Sequence, residues 1–182
     1  NRYADFTEGT EIAAGNYTLK ATYGNIETQG FEAPYYEGAK EFSIKKNEST
    51  NISVICYLAN VKVTTEYTEL FKKYFTDYTV NIRPAGSTDI SFDKNETRAA
   101  YVKPGKISIY LSGSKQQGNK VTFEAATIEN AKARQHYRLK FDVQAGGTEL
   151  DVSFTDETER VPITIDISDD ALNTVSYTHL RA

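Results

Sequence analysis

Between Phe42 and Val63 three runs carry apolar side chains at every second position, and a chain patterned this way is committed to half-buried strands. In EFSIKK the side chains of Phe42 and Ile44 share a face; in ISVICYL the set is Ile52, Val54, Cys56 and Leu58, and in VKVTTEY it is Val61 and Val63. A period of two is the strand period, because successive side chains point to opposite faces of a sheet. The pattern changes once. In TELFKKYF the residues Leu70, Phe71, Tyr74 and Phe75 fall on one helical face behind Thr68, a hydroxyl residue suited to an N-cap, which predicts one short helix over 68–75.

Strand periodicity also marks Tyr17 to Tyr23 and the runs 77–83, 88–92, 98–102, 106–111, 120–128, 136–144, 148–154 and 161–167. Turn-forming clusters at Pro84-Ala85-Gly86, Lys103-Pro104-Gly105, Gly113 to Gly118 and Ala145-Gly146-Gly147 separate most of them. Short strands at roughly 8 to 12 residue spacing belong to a sandwich or a barrel. Thirteen Tyr and nine Phe, with no Trp and no Met, suit a core of aromatic and β-branched side chains packed on strands. A length of 182 residues accommodates one large all-β domain or two small ones, and Ala59-Asn60, which interrupts two strands, is the natural boundary. Pro162 lies inside the last run and cannot donate to a ladder, which places that strand at a sheet edge or at a bulge. Such an edge is open to a partner chain, and it is also a common way of blunting aggregation.

The net charge of -4, with both signs interspersed, provides no basic footprint, so nucleic-acid binding is not expected. No apolar run approaches the ~18 residues of a membrane span. With no methionine anywhere, the natural start is expected upstream of Asn1, together with any signal or lipid anchor. VSYTHLRA at the other end resembles a translated sequencing adapter, and 175–182 is set aside as a non-native tail.

No constellation for a reaction stands out. With His179 discounted, His136 is the histidine left to serve as a base; it opens HYRLKFDV on the polar side of that strand, where a solvated histidine is the simpler reading. The single cysteine, Cys56, sits on the apolar side of its strand as an inert thiol. Asp93, Asn95 and Glu96 share one loop and Asp166, Asp169 and Asp170 another, but neither has the spacing that gathers six or more oxygen ligands, so no metal and no cofactor is expected. Asn16, Asn47, Asn51 and Asn95 head glycosylation tripeptides, which arise by chance in a chain rich in Ser and Thr. Phe31, Tyr35 and Tyr36 flank Pro34, where they would form either a platform for stacking on a sugar ring or a lid of aromatics tucked over the end of the fold.

PYYEGAKEFSI, ISVICYLANVKV, YTELFKKYFTDYTVNI and ETRAAYVKPGKISIYL, in that order, resemble the domain-of-unknown-function family numbered 4493, found in envelope lipoproteins of Gram-negative gut anaerobes; the likeness covers about residues 12–167. The resemblance implies a plan similar to fimbrillin-like subunits: an all-β chain of two tandem β-sandwich domains, transthyretin-like or immunoglobulin-like, here 1–58 and 59–170, with one short helix. It implies a non-enzymatic surface adhesin or fimbrial-type structural component of the cell envelope, at the outer-membrane surface. Partners would be proteins or other subunits meeting sheet edges, or surface glycans, and the membrane would be reached only through an N-terminal lipid anchor outside this sequence. Cys56 cannot be that anchor, because it lies inside a strand behind Ile55, where a small residue is required. A carbohydrate-binding module of a surface lipoprotein, using Phe31, Tyr35 and Tyr36, is the alternative.

Overall fold

The computed structural model describes residues 12–46, 50–116 and 118–143, and the backbone of 148–154 and 163–167. The chain is mostly β, with several sheets and one short helix. Pro162, Asp169, Asp170, Asn47 and the 175–182 tail lie outside the described residues.

The first sheet is built from β1 (Gly15–Tyr23), β3 (Tyr36–Ile44) and β4 (Tyr57–Leu58), in the order β1-β3-β4. β1 and β3 pair antiparallel without a register shift, from Gly15 opposite Ile44 to Tyr23 opposite Tyr36. Tyr17, Leu19 and Ala21 are half-buried and the residues between them exposed, as the alternation requires. The same holds for Ile52, Val54, Cys56 and Leu58, yet only Tyr57 and Leu58 of that segment join a ladder. At Gly38 a Cβ would collide with the carbonyl oxygen of Ile55, so the backbone at 55–56 lies close against β3 there. Residues 51–56 keep the strand period without strand pairing.

Two larger sheets follow. One has the order β10-β9-β6-β7, from β6 (Phe75–Pro84), β7 (Ile90–Asp93), β9 (Gly105–Lys115) and β10 (Lys120–Ala131). The other runs β13-β12-β11-β5-β8-β2, from β2 (Gly30–Phe31), β5 (Val61–Tyr67), β8 (Ala100–Val102), β11 (His136–Phe141), β12 (Thr148–Phe154) and β13 (Ile163–Ile167). All pairs are antiparallel except β5 with β11. Alternate residues of both sheets enter one core: Val61, Val63, Ala100, Val102, Leu139 and Phe141 from the second, Val80, Ile82, Phe92, Ile107, Ile109 and Leu111 from the first. By contrast, no described residue from 12 to 59 is buried.

Where the period of two breaks, bulges account for it. The register between β9 and β10 shifts between Glu124 and Ala126, which turns both Ala125 and Ala126 inward. A second shift, between Phe75 and Asp77, lets Phe75 and Tyr78 face the core together; the Phe75 ring lies where a Cβ on Gly113 would stand.

The helix α1 (Glu69–Tyr74) is capped as its sequence predicts: Phe71 N–H donates to Thr68 Oγ1 at 3.2 Å. The Thr68 hydroxyl in turn donates to Asp142 Oδ1 at 2.6 Å, and Thr68 N–H donates to the Phe141 carbonyl, which ties the helix start to the end of β11. Glu69 sits in the first turn, where carboxylates are favoured, with Lys72 at 2.9 Å. Phe71 is fully buried, with ring centroids 4.8 to 5.8 Å from Phe75, Tyr78, Tyr67 and Phe141. Leu70, expected on that face, is 58% exposed, since a six-residue helix buries only a narrow stripe.

Tyr67 stacks into the same aromatic group, 4.6 Å from Tyr78 and 5.5 Å from Phe141. Its hydroxyl and that of Thr65, two residues back on the same face of β5, are shut off from solvent without a well-formed hydrogen bond. Burial pushes the Tyr67 phenol up to about 12, against a smaller lowering by Thr65. Leaving a buried hydroxyl unpaired costs about 1 to 3 kcal/mol. Tyr67→Phe is therefore expected to stabilise the fold by about 1 kcal/mol in urea melts. Because the folded phenol holds its proton more tightly than an unfolded one, Tyr67 contributes stability below pH 10 that fades towards pH 12, and the substitution should flatten that alkaline slope. A loss of stability in the phenylalanine variant would show that the hydroxyl is satisfied.

Candidate functional site

Residues 24–36 connect β1 to β3 and carry the three aromatics singled out from the sequence. Gly24, at φ +83°, starts the excursion in the left-handed region, and a Cβ there would also strike the Pro34 carbonyl oxygen. β2 then pairs with β8, Gly30 opposite Tyr101 and Phe31 opposite Ala100. Gln29 holds the entry: its Nε2 donates to Ser87 Oγ at 2.9 Å, and its Oε1 accepts from Lys103 N–H at 2.8 Å.

The three aromatics part company. Phe31 leans on the core, edge-on to Phe92 with centroids 5.0 Å apart, under the Arg98 guanidinium at 4.8 Å. Arg98 is itself held by the Glu96 carboxylate at 2.8 Å, which drops the Glu96 carboxyl to about 2. Tyr35 is half-buried, its hydroxyl donating to Glu37 Oε2 at 3.2 Å. Partial desolvation, and then the Glu37 charge, raise its phenol. Tyr36 remains accessible, directly across the ladder from Tyr23, with ring centroids 6.4 Å apart and planes inclined at 51°. Tyr23 is 70% exposed. Tyr101 lies near enough to Tyr36 for their charges to interact, and burial first, then Tyr36, raises its phenol. Among the described residues the exposed tyrosines are thus Tyr23, Tyr57 and Tyr36, of which the sequence pointed only to Tyr36. The signal for Tyr23 was present: two nine-residue strands ending and beginning in tyrosine on either side of one connection.

Asn60 fixes the neighbourhood. It is fully buried, its Oδ1 accepts from Tyr35 N–H, and its carbonyl accepts from Arg134 N–H at 2.9 Å. Ala59 N–H donates to the Tyr35 carbonyl at 2.8 Å. Arg134, at φ +70°, lays its guanidinium over the exposed Tyr57 ring at 4.0 Å. The Asn60 side chain thus joins the aromatic loop to the start of β5, and its backbone carbonyl joins the turn before β11.

The remaining candidates from the sequence are occupied in ordinary ways. His136 is half-buried, with Nε2 2.9 Å from Thr64 Oγ1 in a hydrogen bond. Cys56 is half-buried, its Sγ 3.7 Å from the Ala21 carbonyl oxygen. Asp93 caps its own loop by accepting from Asn95 N–H at 2.7 Å, while Glu96 is bound to Arg98, and among the described residues no group of three or more acidic, His or Cys side chains is placed to hold a metal ion. An open hollow of about 520 Å³, lined by Arg83, Gly86, Lys106 and Ser108 among others, offers two cations, but Asp89 holds Arg83 at 2.7 Å and Glu129 holds Lys106 at 3.0 Å.

What remains accessible is backbone. Among the described residues β1 pairs with β3 alone, so alternate residues from Gly15 to Tyr23 turn backbone N–H and C=O groups to an edge with no strand beside it, the Ala21 carbonyl having only the Cys56 contact. The other sheet edges are shorter or irregular: β2 and β4 have two residues each, β7 has four, β13 has five, and β10 is interrupted by register shifts.

These features define a β-rich protein whose accessible chemistry is a strand edge and a small group of tyrosines. The chain belongs to the family described as Domain of unknown function (DUF4493), which matches residues 1–169. No curated protein and no solved structure matches it.

Asn60→Ala would strand the part-buried Tyr35 N–H while removing an Nδ2 that is buried without a partner among the described residues, and is expected to cost about 1 kcal/mol in denaturant unfolding. The loss should come with faster amide exchange at Tyr35 and Ala59; unchanged exchange would mean that the loop is held without this side chain.

Proposed function

We propose that this chain is a non-enzymatic cell-envelope protein, a surface adhesin or fimbrial-type structural component, built as two tandem β-sandwich domains and displayed at the outer-membrane surface. The observation that carries the reading is the outer edge of β1, a nine-residue strand without proline or bulge that pairs on one side only among the described residues. An open edge of this kind binds by accepting a further strand, with affinity from main-chain hydrogen bonds and selectivity from alternate side chains. Family membership supports the envelope assignment only through the likeness to lipoproteins of Gram-negative gut anaerobes noted above. Antiserum against the chain should find the native protein in the outer-membrane fraction of its source bacterium, and external protease should remove it from intact cells. Recovery in the cytosol, or a hydrolytic activity that disappears in His136→Ala, would overturn the assignment.

The exposed Tyr23 and Tyr36 pair favours a second reading, a carbohydrate-binding module of a surface lipoprotein. Rings inclined to one another offer apolar faces that stack on a pyranose. A surface polysaccharide would then quench tyrosine fluorescence saturably, and Tyr36→Ala should abolish the quenching while leaving the far-UV spectrum unchanged. Quenching that survives this substitution removes the tyrosine pair from the reading.

A further inference from the structure

We propose that two copies of this chain associate edge to edge through β1, antiparallel, about a two-fold axis at Leu19. The inference deepens the structural-component reading above and rests on it, naming a second copy of the chain as the partner of the open edge.

The strand GNYTLKATY suits its own reverse. About Leu19, Gly15 stands opposite Tyr23 of the partner subunit, Asn16 opposite Thr22, Tyr17 opposite Ala21, Thr18 opposite Lys20, and Leu19 opposite itself. All nine residues take part. The only charge on the strand, Lys20, meets a neutral threonine. The half-buried row Tyr17, Leu19 and Ala21 continues on the same side into the same row of the second copy, so the partly covered face of one hairpin extends that of the other.

Neighbouring registers are worse for identifiable reasons. An axis at Lys20 sets two ammonium groups directly opposite one another, which is destabilising. An axis at Thr18 sets Thr22 and Tyr23 opposite Ala14 and Ala13, outside the strand. An axis between two residues turns the apolar row of one copy against the polar row of the other, because a one-residue slip exchanges faces. Lys20 therefore selects the register as well as limiting promiscuous pairing, the usual role of a lysine on an edge.

The register is testable by charge, because Thr18 faces Glu41 within the chain and Lys20 across the proposed interface. In Thr18→Lys the new ammonium gains Glu41 inside the hairpin but meets Lys20 of the partner subunit, twice by symmetry; Thr18→Glu does the reverse. Sedimentation equilibrium of the full chain should show a monomer–dimer equilibrium. Association should weaken roughly 2- to 30-fold in Thr18→Lys and tighten by a similar factor in Thr18→Glu. Adding Lys20→Glu to Thr18→Lys should restore it. Melting temperatures should move the opposite way, up in Thr18→Lys and down in Thr18→Glu, when measured at concentrations where the chain is monomeric, so a folding defect cannot imitate the result. A chain that stays monomeric up to about 1 mM, or a dimer indifferent to both charges at Thr18, overturns the proposal. A monomer displayed on the cell surface would remove it and leave the envelope reading standing; a charge-sensitive dimer of a cytosolic protein would do the converse.

Discussion

The buried amide of Asn60 is the constraint on which the arrangement of the chain depends. Just before β5, it takes the Tyr35 N–H on its side-chain oxygen, while its backbone carbonyl takes the Arg134 N–H and its Nδ2 is buried without a partner among the described residues. The bond made by the side-chain oxygen is directional, and it places the Tyr35 backbone. It holds the aromatic loop at Tyr35, immediately before the start of β3.

Burial is distributed unevenly. Between Val61 and Phe141 two sheets and one capped helix enclose a core of fully buried Phe, Ile, Leu and Val, with Phe71 at the centre of an aromatic group. The hairpin of β1 and β3 has only half-buried side chains, covered in part by the segment that passes over Gly38. Stability resides mainly in the first region, since apolar area removed from water is the dominant favourable term. The hairpin is stiffened by cross-strand pairs such as Tyr17 with Phe42, 5.8 Å between centroids, and is left with an edge and a pair of rings facing solvent. Recognition by strand addition requires this combination of a firm support and an unpaired strand.

Much of the architecture was legible in the sequence because its signals are local. The period of two marked β1, β5, β6, β9, β11 and β12, and Thr68 marked the helix start, since a side-chain oxygen reaching an N–H three residues on needs no tertiary partner. β2 was invisible: two residues carry no period, and Gly30 and Phe31 become a strand only because β8 lies beside them. The segment before Tyr57 misled in the opposite sense, with strand alternation over 52–56 but no ladder. The doubled inward residues Ala125 and Ala126 likewise follow from a bulge that no composition announces.

The candidate surface divides along the same line. Alternation and aromatic content pointed from the sequence alone to a β protein, and the motifs pointed to its family. Which tyrosines face solvent was settled by pairing across some dozen intervening residues: Tyr36 meets Tyr23 because β1 and β3 share a register, while Phe31, five residues earlier, is drawn onto Phe92 by β8. Side-chain direction along a strand is a local property that the sequence determines. Which strand lies next to it, and which edge is left without one, is set by long-range pairing, and only the tertiary structure decides that.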